Sequence, residues 1–234
     1  MAGFNFSLST TEVSNESYLR AWNVYENVQF MGIEGPTEGV GKTSGNPWKK
    51  WDLVFKAKEG TYKESIFEPR EGDDQRKEFD GRDGGKNITP STIETINLKL
   101  QQVISVYMND TNKKKFQKLG AEGKFNNVEF ESFIKVINEL LKDPKQPSAD
   151  YPIMIKLQGN ASGYARLPYA RIGKDGDAWM ERWLGPNLSL TPYEMDQAKK
   201  RKEAKPTNMS SVDATPTKET KDDLDDLDSL VDSL

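Results

Sequence analysis

Residues 48–68, WKKWDLVFKAKEGTYKESIFE, divide into two halves joined by Glu59-Gly60. Apolar and polar residues alternate along each half, and a period of two is typical of a strand with one buried face. Glycine favours a tight turn between the halves, and Pro69 ends the second one. The stretch therefore predicts an antiparallel β-hairpin. The residues assigned to the buried face of its first strand are Trp51, Leu53, Phe55 and Ala57.

Three other segments show strand periodicity. Residues 20–32 (RAWNVYENVQFMG) alternate in the same way and place a strand directly before the hairpin, which makes a three-stranded meander. Residues 151–158 (YPIMIKLQ) and 164–172 (YARLPYARI) predict two later strands, joined by a turn at residues 159–163. The sequence thus predicts five short antiparallel strands.

Helical periodicity occupies the region between the third and fourth strands. A first amphipathic helix is predicted over residues 91–107, where Ser91 and Glu94 have the spacing of a capping box. A second helix is predicted over residues 128–142 and stops before Pro144. Both apolar stripes are interpreted as core.

Three segments complete the chain. Residues 70–86 are polar and glycine-rich, and we expect a mobile loop there. Asp177 can cap a short helix over residues 178–184 (AWMERWL), whose two tryptophans, Trp179 and Trp183, are expected in the core. Beyond Leu190 the composition favours disorder.

This order of elements predicts a mainly β chain of the α+β class. Five strands with a helical insertion, at about residues 88–143, between strands three and four suit an OB-fold-like, partly open barrel. In that fold the loops at residues 35–47 and 159–163 flank the binding face. The expected organisation is an OB-fold-like domain over residues 1–190, a disordered linker over 191–221 and an acidic tail over 222–234.

Composition excludes several classes of chemistry. The chain has no cysteine and no histidine, which removes disulfides, Cys/His zinc sites and histidine-based catalytic triads. No EF-hand spacing occurs among the acidic residues. We therefore expect a protein that is not an enzyme and has no cofactor or metal. Because no secretory leader or long apolar run is visible, we expect no membrane contact and a cytoplasmic location, the host cytoplasm if the chain is phage-encoded.

The stretch GPTEGVGKTSGNPW, residues 35–48, contains a Gly-Lys-Thr at residues 41–43. A P-loop needs a glycine five residues before that Gly41, where the chain has Pro36, and it must open directly into a helix. Ser44-Gly45-Asn46-Pro47 follows instead and favours a loop. We interpret the stretch as a flexible finger between two strands.

Charge is unevenly distributed along the chain. The whole chain carries −4, and the tail DDLDDLDSLVDSL contributes six aspartates and no basic residue, so residues 1–221 carry +2. We expect the aspartates to compete with a polyanion for the basic body, and the apolar tail residues to contact partner proteins. The tail residues assigned to these roles are Asp222, Asp223, Leu224, Asp225, Asp226, Leu227, Asp228, Leu230, Val231, Asp232 and Leu234.

Aromatic and basic residues interleave along the predicted strands. Rings on which bases stack and cations that follow phosphates are what binding of single strands without sequence preference requires. The candidate nucleic-acid-binding residues are Lys42, Trp48, Lys49, Lys50, Lys56, Lys58, Tyr62, Lys63, Lys156, Tyr164, Arg166, Tyr169 and Arg171.

The arrangement of a compact barrel with aromatic and basic residues, a disordered linker and a terminal run of aspartates resembles that of bacteriophage replication single-stranded DNA-binding proteins. The resemblance implies a protein that coats single-stranded DNA in replication, recombination and repair. It also implies that the tail recruits replication proteins such as a polymerase, a helicase or primase, or recombination factors. The tail ends in Leu234, whereas tails of the family commonly end in an aromatic residue.

Two alternatives stay open on the sequence. An acidic-tailed regulatory or protein-interaction protein without direct DNA binding would also explain the apolar residues among the aspartates. A hydrolase or nuclease with a carboxylate-bound metal is the third class, although the acidic residues of the 70–86 segment lie among glycines and basic residues.

Overall fold

The structure is a computed structural model, and it describes residues 17–80, 86–126, 128–160 and 162–203. Within these ranges the chain is mixed α/β, with more strands than helices. The strands are β1 (Asn23–Tyr25), β2 (Gln29–Val40), β3 (Pro47–Ala57), β4 (Gly60–Phe67), β5 (Lys77–Asp80), β6 (Lys86–Thr89), β7 (Met154–Gly159), β8 (Ala165–Arg166), β9 (Ala170–Ile172), β10 (Ala178–Met180) and β11 (Leu184–Gly185). The helices are α1 (Thr92–Tyr107), α2 (Asp110–Ala121), α3 (Phe130–Leu140) and α4 (Pro192–Glu203).

The meander predicted from the hairpin is confirmed as the antiparallel sheet β2–β3–β4. Phe30, Phe55 and Tyr62 lie opposite one another across its three strands. The predicted inward face of β3 is buried as expected, including Trp51. One face of this sheet therefore forms a wall of the core.

The predicted first strand is divided in two. Asn27 has a left-handed φ of 54° between β1 and β2, and the chain changes direction there. As a result β1 pairs with β7, with Tyr25 opposite Ile155, while β2 pairs with β3. β7 also pairs with β8 and β11, so the described strands form four separate sheets and no closed barrel.

The finger predicted over residues 35–47 is mostly strand. β2 continues to Val40 and β3 begins at Pro47, so only residues 41–46 connect them. The register shifts between Glu34 and Thr37, which absorbs the irregular backbone around Gly35. The glycines were interpreted as a loop because β-bulges and loops share the same residue types.

A cluster of aromatic rings joins the helices to the sheet. Phe55 lies 5.5 Å from Phe30 and 5.7 Å from Trp183, measured between ring centroids, and Tyr107 stacks 5.4 Å from Phe30. The predicted first helix matches α1 and the second matches α3, and both bury most of the expected stripes, although Ile93 of α1 is exposed. Helix α2 was not predicted, because its run of lysines hides the two partly buried apolar residues, Phe116 and Leu119. None of the described helices is long and apolar enough to cross a membrane.

The C-terminal third departs most from prediction. Residues 178–184 are not a helix, because Trp179 pairs with Arg171 between β10 and β9 and Leu184 pairs with Ile155 of β7. The segment after Leu190, predicted to be disordered, is helical at its start, because α4 lies within it. The predicted 70–86 loop contains β5, which pairs with β6 at the end of the loop. In residues 178–184, backbone pairing with strands far along the chain overrode local composition.

The predicted capping box of α1 is present and extended by an arginine. The Glu94 amide donates to Ser91 Oγ (3.1 Å), and the Ser91 amide donates to Glu94 Oε2 (2.8 Å). Arg76 Nε also donates to Glu94 Oε1 (3.0 Å), and Arg76 Nη1 donates to the Gly176 carbonyl (2.7 Å). Hydrogen bonds from Arg76 lower the pKa of Glu94 from 4.5 to about 2.

Glu94→Gln should therefore lower the free energy of unfolding at neutral pH, with an effect that disappears in acid. Because the folded carboxyl has the lower pKa, its stabilisation is complete above pH 4.5 and is lost as the pH falls toward about 2. Urea unfolding of both proteins across this range measures the difference. A difference that stays constant with pH would mean that the carboxylate charge contributes nothing.

Candidate nucleic-acid groove

An open groove of about 980 Å³ lies where the β7–β8 connection, β9 and α4 meet. Gln158 and Gly159 belong to its floor strand, and Asn160 begins the turn that borders it. Three arginines, a lysine, three aromatic residues and two glutamates are among the other residues that line it. Two other surface grooves among the described residues are smaller, at about 650 and 310 Å³.

Trp22 and Tyr193 form one side of the groove. Their ring centroids lie 6.1 Å apart at an interplanar angle of 87°. Trp22 has a left-handed φ of 57°, and its indole lies so close to Gly159 that a Cβ at that position would overlap it. Such a backbone is costly for a tryptophan and tends to occur where function requires it. Trp22 can thus occupy this side of the groove only because residue 159 is a glycine.

Arg166, Tyr169 and Arg171 form the facing side. The Arg166 guanidinium lies 3.3 Å from the centroid of the Tyr169 ring, and its Nε donates to the Gly159 carbonyl (3.2 Å). Burial lowers the pKa of Arg166 below its ordinary value, and the nearby Arg171 charge adds to the effect. Arg171 is exposed and forms no ion pair with any residue that the structure describes. Arg166 and Arg171 therefore place two neighbouring guanidinium groups where they can bind an anion.

Trp179 continues this surface beyond the groove. It lies directly opposite Arg171 in the β9–β10 ladder, so the two side chains emerge on the same face. Trp179 is 45% exposed, which corrects its predicted place in the core. Tyr169 has the same strand parity as Arg171 and is also exposed. This face of the β9–β10 ladder therefore carries Tyr169, Arg171 and Trp179 next to one another.

Helix α4 supplies the remaining cations. Lys200 and Arg201 line the groove, and Lys200 Nζ forms an ion pair with Asp196 (2.8 Å). Thr191 caps the helix, because Glu194 N donates to Thr191 Oγ1 (3.3 Å). The helix thus begins at the groove and carries basic residues along it.

Three of the candidate lysines on the β2–β3–β4 sheet form ion pairs with acidic side chains. Lys49 Nζ lies 2.5 Å from Glu131 and 3.3 Å from Glu38, measured to their carboxylate oxygens. Lys50 is paired with Asp52, and Lys63 with Glu34. The local potential of this sheet is correspondingly weaker than its lysine content indicates.

The other sheet candidates divide by exposure. Lys42, Lys56 and Lys58 are exposed, with Lys42 in the 41–46 connection. Trp48 is half-buried, because its ring covers Gly39 and meets Phe67 edge to face. Strand β3 and not a helix follows Lys42, in agreement with the rejection of a P-loop.

Two residues that were predicted to bind nucleic acid, Tyr62 and Lys156, are buried, so the prediction is wrong for both. Tyr62 is in the core cluster, and its hydroxyl donates to Glu64. Lys156 is buried between Glu181 and Glu194. Neither side chain reaches the surface, so neither can touch a nucleic acid. Tyr164, by contrast, is exposed next to the groove.

The groove contains residues that sequence reasoning missed. Trp22 was placed on one face of a strand with no role assigned, and Tyr193, Lys200 and Arg201 were assigned to a disordered segment. Trp179, which adjoins the groove, was assigned to a core helix. The cluster of lysines and arginine at residues 199–202 was the available signal for a basic surface. The tail residues 222–234 lie outside the described residues.

No group of histidine, cysteine or acidic side chains suited to a metal ion occurs among the described residues. No family model, curated protein or solved structure matches the chain.

Proposed function

We propose that the protein binds single-stranded DNA without sequence preference in the groove between β9 and α4. The observation that carries the proposal is the Arg166–Tyr169 stack beside the exposed Arg171 and Trp179. An exposed ring contributes about 1–3 kcal/mol per stacked base, and an arginine nearby adds a phosphate contact. Bases can stack on protein rings only when they are not stacked in a duplex, which favours single strands.

The strand arrangement supports an OB-fold-like body for this function. β1 and β2 are consecutive strands, of which β1 pairs with β7 and β2 pairs with β3, so they link the two sheets along the chain. The three-stranded meander is followed by helices before β7, in the order expected for an OB-fold. The β7–β8 connection, which borders the groove, is the counterpart of a loop that flanks the binding face in that fold.

The wider role follows from the resemblance to phage replication proteins. Coating of single strands in phage DNA replication, recombination and repair, with replication proteins recruited by the acidic tail, is the corresponding biological proposal. The protein acts as a binding protein and not as an enzyme in this role.

A fluorescence anisotropy titration with a labelled oligothymidylate tests the function. We expect binding that weakens steeply as salt rises, because each phosphate contact releases counterions. A duplex of equal length should bind more weakly, because its bases are not free to stack on the groove. Equal affinity at low and high salt, or preference for the duplex, would contradict the proposal.

A further inference from the structure

Helix α4 contacts the body through a buried charged residue as well as through the edge-to-face contact of Tyr193 with Trp22. Its buried residue is Glu194, which is 2% exposed, whereas Tyr193 and Met195 on either side are 66% and 46% exposed. Among the α4 side chains whose burial the structure describes, Gln197 and Ala198, one turn later, are partly buried. An amphipathic helix normally buries its apolar residues, so this helix needs another source of attachment.

That source is Lys156 of β7. Its side chain leaves β7 on the face opposite Ile155 and Leu157 and is 2% exposed. Lys156 Nζ contacts Glu181 Oε1 and lies 3.4 Å from Glu194 Oε2. Gln158 on the same face of β7 donates to Glu194 Oε1 (2.7 Å). One ammonium group thus stands between the sheet and two carboxylates that line the groove.

The charges explain why this ammonium group matters to the groove. Burial raises the pKa of Glu194, but the Thr191 amide, Gln158 and Lys156 together hold it below its ordinary value, so the carboxylate stays ionised. Without Lys156, Glu181 and Glu194 would be two uncompensated neighbouring anions. A buried anion without its partner is strongly unfavourable and would drive α4 from the sheet.

We propose that Lys156 is a positioning residue that holds α4 as a wall of the groove and neutralises the acids beneath it. Through α4 it places Tyr193 beside Trp22 and keeps Lys200 and Arg201 at the groove. The role in DNA binding rests on the function proposed above, whereas the attachment of α4 does not.

Lys156→Met tests the proposal, because methionine fills most of the same volume without the charge. We expect amide hydrogen exchange in peptides covering residues 192–203 to become at least about tenfold faster. Affinity for oligothymidylate at low salt should fall by roughly tenfold, because cations leave the groove while anions remain. Lys142→Met, an exposed lysine of the α3–β7 connection paired with Glu139, is the matched control and should change neither quantity.

The double variant Lys156→Met with Glu194→Gln separates charge from packing. It removes one positive and one negative charge and leaves no unpaired buried anion. The oxygen of the introduced amide can still accept from the Thr191 amide, and its NH2 group can donate to Gln158 once the Gln158 amide turns to present its oxygen. We expect it to recover most of the exchange protection and DNA affinity that the single variant loses. Glu181→Gln, at a partly exposed site, should tighten DNA binding about twofold or more, because one anion leaves the groove.

The outcomes separate the two proposals. Unchanged exchange in Lys156→Met, or a double variant no better than the single one, overturns the positioning role. Faster exchange with unchanged DNA affinity overturns the placement of α4 in the DNA site. If the wild-type protein binds no oligothymidylate, the proposed function fails, while the exchange data still decide whether Lys156 holds α4.

Discussion

Replacing Arg171 and Arg201 by glutamate lowers affinity for single-stranded DNA by roughly 100-fold at low salt, if each reversed charge contributes about 1.4 kcal/mol. Both side chains are exposed and line the groove. Their loss should also reduce the magnitude of the slope of log affinity against log salt by about 1.4, because two phosphate contacts to a single strand disappear at about 0.7 each. Anisotropy titrations at several salt concentrations measure both quantities.

The matched control reverses the same number of charges elsewhere. Lys114 and Lys115 lie on α2 and do not line the groove. Lys114→Glu with Lys115→Glu gives the same net charge as the groove variant, so it isolates position from total charge. An equal loss of affinity in both variants would mean that DNA responds to the overall charge and not to this groove.

Trp183→Ala should destabilise the fold by about 3–5 kcal/mol, the range for truncating a large buried aromatic residue. Trp183 is 0% exposed, packs edge to face on Phe55 at 5.7 Å, and its amide donates to Gln102 Oε1 of α1 (3.0 Å). Removing its ring would leave a cavity where the sheet meets α1. Urea or thermal unfolding measures the change.

Trp179→Ala, four residues earlier, should leave the stability of the fold nearly unchanged but weaken DNA binding. Its stability should change by no more than about 0.5 kcal/mol, because the ring is exposed on the outer face of β10. DNA affinity should fall by an amount that corresponds to about 1–3 kcal/mol if a base stacks on it. A stable Trp179→Ala protein with wild-type affinity would remove this residue from the proposed interface.

Local pattern was enough for elements whose neighbours in sequence are also their neighbours in space. The β3–β4 hairpin, the capping box of α1 and the helical stripes of α1 and α3 were predicted because period-two and period-3.6 burial is written directly in the order of residues. Lys156 shows the limit of that reasoning. Its alternation with Ile155 and Leu157 correctly gave its face, but not what covers that face.

The candidate site required the tertiary structure for the same reason. Arg166, Tyr169 and Arg171 were recognised from the sequence as basic and aromatic, and the fold places them together on the groove. Trp22 and Tyr193 are 171 positions apart, and no local pattern predicts that their rings meet. Lys49, Lys50 and Lys63 carry the expected charge but are paired with acids, most of which only the folded chain brings near.

The sequence by itself determined that this chain has no cysteine or histidine, where its meander and main helices lie, and which residue types are available to a polyanion. The tertiary structure alone decided that Trp183 is buried and Trp179 exposed. It also decided that α4 adjoins the sheet and that Lys156 is enclosed between two glutamates. The physical reason is the range of the forces involved. Hydrophobic periodicity and capping act within a few residues, whereas burial, ion pairing and strand pairing depend on contacts between segments far apart in the chain.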